Sequence, residues 1–187
     1  MEPSVSILDG MEVTFERAGE RRYATVITLP GRHPRRTDPA PGFDEHVPHD
    51  IVHYLVEAEL GLSHGVYGRA AAGGGGFIAS TETPGDPRRR AREQRRLKKR
   101  EAALASADPG DMARSEYIAG LCDLAWRRRA GAATPTWADR RPIPPEEHPV
   151  VERILHHLDE IAPLWRAVPV GGALTFTWPD TTVKVSS

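Results

Sequence analysis

The stretch MEVTFERAGERRYATVITLP, residues 11–30, puts Met11, Val13 and Phe15 on one side of an extended chain, and Tyr23, Thr25, Ile27 and Leu29 on one side of the next. A period of two is the signature of a strand with one face in a core, and aromatic and β-branched residues suit that pleated surface. Ala18-Gly19-Glu20 separates the runs, so the segment reads as a β-hairpin. The far end of the chain repeats the pattern: ALTFTW (173–178) and TVKVS (182–186) alternate and are joined through Pro179-Asp180-Thr181. Two terminal hairpins around a helical middle predict an α+β fold, a small antiparallel sheet made where the hairpins meet, with helices packed on one face. Residues 1–10 read as a tail and 11–187 as one α+β domain.

Between the hairpins, PGRHPRRTDPAPGFDEHVP (30–48) carries five prolines and reads as a loop with no element of its own. A helix then spans Pro48 to about Leu60, with Pro48 and Asp50 suited to its first turn and Gly61 as its stop. SHGVYGRAAAGGGGF (63–77) reads as a short helix ending in four glycines that lack the spacing of a phosphate-binding loop. STETPGDP (80–87) reads as a further loop, and the basic stretch after it as a helical arm over 86–106. Tyr117, Ile118, Leu121, Cys122, Ala125 and Trp126 recur at helical spacing within 111–131. Val150, Val151, Ile154, Leu155 and Leu158 do the same in a last helix from Glu146 to Ile161, which Pro163 is expected to end.

The 187 residues include 39% hydrophobic side chains, enough for a real core. One cysteine, Cys122, excludes a disulfide framework and any multi-cysteine metal site, so a bound metal must be held by histidines and carboxylates. No run approaches the length needed to span a bilayer and no signal-peptide pattern opens the chain, which implies a cytoplasmic protein without a membrane partner.

Those histidines are concentrated in FDEHVPHDIVHYLVEAELGL (43–62). On a wheel advancing about 100° per residue, Ile51, Val52, Leu55, Val56 and Ala58 define the buried face, while His49, His53 and Glu57 form a row along its border. Two histidines four residues apart are the helical chelate for zinc, and Glu57 can add an oxygen while leaving room for water or substrate. His49, His53 and Glu57 are therefore candidate metal ligands for a divalent ion, zinc before iron or manganese. Asp50 is a candidate catalytic or ligand-orienting carboxylate. Glu59 falls in the middle of the apolar face, where a carboxylate must find a partner or a function; it is a second catalytic candidate, with Arg21, Arg22 or Arg69 as alternative ion-pair partners. His156 and His157 lie on the late helix, at a polar edge or completing a metal shell.

The frame His49-Asp50-x-x-His53 resembles the HExxH motif of zinc metallopeptidases, with Asp50 one methylene shorter than that family's general base. It is also similar to the HDxxH motif of the coenzyme Q biosynthesis protein with a zinc-type site. His49, Asp50 and His53 carry over, but the Glu twelve positions further on in that family is Gly65 here. Over roughly the first 75 residues, VTFERAGERRY, DPAPGFDEHVPHDIVHYLVEAELGL and GVYGRAAAGG resemble a family of small bacterial proteins described only as hypothetical. The last resemblance implies no activity, only that the hairpin and the histidine helix belong to one unit; the border row of convergent donors is what predicts a metal-dependent, hydrolase-type enzyme acting on a small molecule or peptide.

The formal net charge of -1 conceals an asymmetry. RRRAREQRRLKKR (88–100) holds nine cations and one Glu, a segment of +8 on a remainder of -9. Arg88, Arg89, Arg92, Arg95, Arg96, Lys98 and Lys99 are thus candidates for nucleic-acid binding in an alternative, non-catalytic or regulatory role. The same run also suits a solvated arm, or a clasp onto the acidic body or onto a second copy in a homo-oligomer.

Overall fold

The computed structural model describes residues 10–74, 86–134 and 142–187, without the side chain of Arg89. The expected tail, apart from Gly10, lies outside the described residues, as do Gly75, Gly76 and most of the loop at 80–87.

The two hairpins do meet. Strands β1 (Glu12–Gly19) and β2 (Arg22–Thr28) form the first, β4 (Ala173–Thr177) and β5 (Val183–Ser186) the second, and β1 pairs antiparallel with β4. The sheet has five strands in the order β3-β2-β1-β4-β5. The extra strand, β3 (Arg35–Thr37), lies in the proline-rich segment read as a loop. It is only three residues long, between prolines, and pairs with β2 through Thr25, Val26 and Ile27; an edge strand this short has no periodicity to reveal it.

Val13, Phe15, Tyr23, Ile27, Leu174 and Phe176 are fully or almost fully buried on the inner face. There Phe15 meets Tyr54, Tyr67 and Phe176 edge-on at centroid distances of 6.4, 6.4 and 5.8 Å, a geometry that aromatic quadrupoles favour. The outer face carries cross-strand polar pairs: Thr14 and Thr175 share a 2.9 Å hydrogen bond, and Arg36 pairs with Glu16 at 2.5 Å.

Helix α1 (His49–Leu60) lies at the centre. Every residue from Ile51 to Glu57 is buried, and Gly61 closes the helix in the left-handed conformation (φ 65°). Pro48 stands just before the helix rather than in its first turn. Helix α2 (Val66–Ala71) follows, then α3 (Pro87–Ala107), α4 (Pro109–Ala130) and, after a 3-10 turn at Pro145–Glu147, α5 (His148–Ala167). Both α4 and α5 pack on α1, and α4 ends at a left-handed Gly131.

Helix α5 does not stop before Pro163; it carries that proline inside and runs a further turn. Proline costs a helix a donor, yet Pro163 is exposed while Ile161, Ala162 and Trp165 around it are buried. Trp165 donates its indole N–H to the Asp44 carbonyl (3.3 Å) and meets Tyr23 edge-on, so burial of this turn offsets the lost bond. Cys122 is a buried core residue, its thiol pushed up to about 12 by burial. No helix among the described residues is long and apolar enough to cross a membrane.

Phe15 tests this core. Phe15→Ala is expected to lower the unfolding free energy by about 3–5 kcal/mol, read from urea denaturation, because three aromatic neighbours lose a partner and the cavity cannot fully collapse. A loss below about 1 kcal/mol would show that the sheet is not seated on α1 through this ring.

Candidate metal centre

The wheel leaves one side of α1 to solvent, but α4 covers that side. The row His49, His53, Glu57 therefore lies in the α1–α4 seam, and its members meet different fates. Glu57, 0% exposed, turns its carboxylate to the start of α2. The amides of Val66 and Tyr67 donate to its Oε1 and Oε2 at 2.8 Å each, and Gly68 donates to Oε2 at 3.4 Å. Gly65 has no side chain for the same reason: a Cβ there would overlap the Glu57 carboxyl group. Burial pushes the Glu57 carboxyl above its ordinary range, while these amides and one hydroxyl pull the other way.

That hydroxyl belongs to Ser115 on α4, which donates to Glu57 Oε1 at 3.0 Å and stands 2.9 Å from His53 Nδ1. Ser115 has one proton, and the carboxylate takes it, so its oxygen is left to accept from His53 Nδ1–H. His53 Nε2 then carries a lone pair, and it points at His49 Nε2, 3.1 Å away. A buried acid, a hydroxyl and an imidazole thus form one chain that fixes the His53 tautomer, as the outer partners of metal-binding histidines do.

The third member of the cluster is Glu116, next to Ser115, whose Oε2 lies 3.6 Å from His53 Nε2. His49, His53 and Glu116 each offer one donor atom, all within 4.8 Å of one another. Two imidazole nitrogens 3.1 Å apart and about 2.0–2.1 Å from a shared ion would subtend about 95–100° at it, an angle compatible with a common metal ion. This set can hold a metal. The Glu57 carboxylate is turned instead to the start of α2 and to Ser115, and the carboxylate grouped with the two histidines is that of Glu116.

The other candidates lie elsewhere. Asp50 faces the sheet and accepts from Thr25 Oγ1 at 2.9 Å; burial raises its pKa, and the hydroxyls of Thr25 and Tyr23 oppose the rise. It anchors α1 to β2, and Ser115 is the residue that orients His53. Glu59 finds its partner on α5, where it pairs with Arg153 and has His157 Nε2 at 3.9 Å. The arginines expected for it are engaged otherwise: Arg22 with Asp38, Arg69 with Glu101, and Arg21 over the Phe43 ring. His156 pairs with Glu160 on an exposed edge, so neither late histidine joins the cluster.

A second set, His64, Asp108 and Asp111, also brings donors within 4.8 Å. Its carboxylates have structural work already: Asp108 accepts from the Gly110 amide at the start of α4, and Asp111 from the His64 amide. Ser115 and Glu116 escape a reading of composition because both sit in an ordinary amphipathic helix. One signal was available: Ser115 falls on the buried stripe it shares with Ile118, Ala119 and Cys122, where a hydroxyl needs a polar partner.

Burial, with His49 beside it, holds the His53 imidazole down at about 4, against an ordinary 6.5. The unfolded chain takes up that proton first. The stability His53 contributes is therefore complete above pH 6.5 and lost as pH falls toward 4, a window of about 3 kcal/mol. In the metal-free chain, His53→Gln is expected to flatten the pH dependence of the urea midpoint across that window; an unchanged acid limb would place the titrating group elsewhere.

Comparison of the chain with known protein families, curated proteins and solved structures finds no match, so the reading of this centre rests on its own geometry.

Proposed function

We propose that the protein is a zinc-dependent, hydrolase-type enzyme whose ion is held by His49 Nε2, His53 Nε2 and a Glu116 carboxylate oxygen. The observation that carries this reading is the Glu57–Ser115–His53 chain, which leaves a lone pair on His53 Nε2 aimed at the other two donors. An ordinary polar helix edge has no need of a buried carboxylate and hydroxyl behind one of its histidines.

Two imidazoles and one carboxylate form the donor set of hydrolytic zinc, with a position left for water or substrate. Zinc supplies there Lewis-acid polarisation of a carbonyl or phosphoryl oxygen and ready ionisation of water near neutral pH. The chain's own residues divide the remaining work. His53 is neutral at physiological pH and held by Ser115, so it binds without first shedding a proton. Glu116, with 64% of its side chain exposed, stands on the solvent side, where a small molecule or a peptide reaches the centre. Asp50 and Glu59 take no part in this scheme; their partners are Thr25 and Arg153.

Elemental analysis of protein purified without a metal-affinity tag tests the reading. One zinc per chain is expected in the native protein, and none in the His49→Ala/His53→Ala double variant. A native chain that neither contains nor takes up zinc overturns the proposal, and stoichiometric iron or manganese replaces zinc in it.

The chain behind His53 adds a graded test. Ser115→Ala keeps all three ligands and is expected to weaken zinc binding about 10–100-fold in competition titrations with a chromogenic chelator. Wild-type affinity in that variant would show that Ser115 merely fills space.

A further inference from the structure

Helix α3 is anchored by one end and one face. Its Arg100 donates to the Ala72 carbonyl at 2.6 Å, its Glu101 pairs with Arg69 at 3.1 Å, and Leu104 lies against Gly74. Leu97 is partly covered, whereas the other described side chains between Pro87 and Arg100 are exposed. The first half of the helix therefore projects from the body.

Around the helix axis, taking Arg88 as zero, Leu97, Arg100, Glu101 and Leu104 fall between about 120° and 220°, the docked side. Arg88, Arg92, Arg95 and Lys99 fall within about 60° of one another on the opposite side, a stripe about 16 Å long. Arg96 and Lys98 flank it at about 80° to either side. Among the described residues none of these six cations has an ion-pair partner, although the chain outside 88–100 is formally -9 and supplies carboxylates in plenty. Holding so many like charges in one exposed stripe is unfavourable unless a polyanion neutralises them.

We propose that α3 is a docking arm for double-stranded DNA, in which the four stripe cations Arg88, Arg92, Arg95 and Lys99 neutralise phosphates along the groove and Arg96 and Lys98 flank them. The B-form major groove, about 12 Å wide, admits an α-helix, whereas the major groove of duplex RNA is too narrow and deep for one. Single strands are disfavoured because α3 contains no aromatic side chain on which bases can stack. The acidic remainder of the chain is repelled by the same phosphates, so only the projecting half of α3 approaches them. This role is independent of the metal centre and stands or falls separately from it.

The test is fluorescence anisotropy of the full chain with a labelled DNA duplex over a range of salt, with chelator present so that the metal centre plays no part. Neutralising about four phosphates gives a log–log slope near −3.6, so a fourfold rise in salt is expected to weaken binding about 150-fold. Arg92→Gln/Arg95→Gln is expected to lower affinity about ten-fold or more and flatten the slope by about two, with the helical circular dichroism retained. Arg166→Gln/Lys184→Gln, which removes the same charge from exposed positions elsewhere, is expected to change little. The proposal is overturned by absence of binding at low salt, by equal losses in the two double variants, or by equal binding of duplex RNA or polyglutamate.

Discussion

A carboxylate without access to water organises this molecule. Glu57 is on a helix whose middle is wholly buried, and a charge there is tolerable only if donors surround it. Three amides at the start of α2 and the Ser115 hydroxyl supply them, so one side chain ties α1 to α2 and α4. The requirement extends into the backbone. Gly65 leaves room for the carboxyl group, and Gly68 lets the α2 backbone pass against the carbonyls of Leu62 and Ser63.

The candidate metal centre depends on that arrangement. Two histidines a turn apart on one helix are common, and by themselves each ring is free to choose either tautomer. Here the buried acid acts through Ser115 to settle the proton of His53, leaving Nε2 available toward His49 and Glu116. Further from the seam, the same logic of partnered charge recurs without any site. Asp44 is held below its ordinary range although burial opposes it, because Arg127 and the His46 amide bind it. Arg127 in turn bridges to Asp123 on its own helix, which secures the segment leading into α1.

The cationic half of α3 follows the opposite pattern. Carboxylates in the body find arginines, as Glu59 finds Arg153 and Glu147 finds Arg114. The projecting arm is left without such partners among the described residues. A chain that is nearly neutral in sum is thus divided into an internally paired body and a basic limb.

The sequence by itself determined most of the sheet, the central helix and the histidine pair of the candidate cluster. Strand alternation is a local pattern that both hairpins show, although Val185 on the edge strand β5 remains exposed; Pro48, Gly61 and Gly131 mark helix ends through backbone chemistry that acts locally. The histidine pair was legible for the same reason, since four residues along a helix is a local distance. Only the tertiary structure decided that Glu116 and not Glu57 completes the cluster, that Ser115 stands between acid and imidazole, and that Glu59 belongs to Arg153. Each of these contacts joins residues from separate helices, 58, 62 and 94 positions apart for the three hydrogen-bonded pairs, and a helical wheel contains no information about which neighbour covers its polar edge. Pro163 and β3 were missed likewise: burial of Trp165 and pairing with β2 outweighed local preferences that pointed the other way.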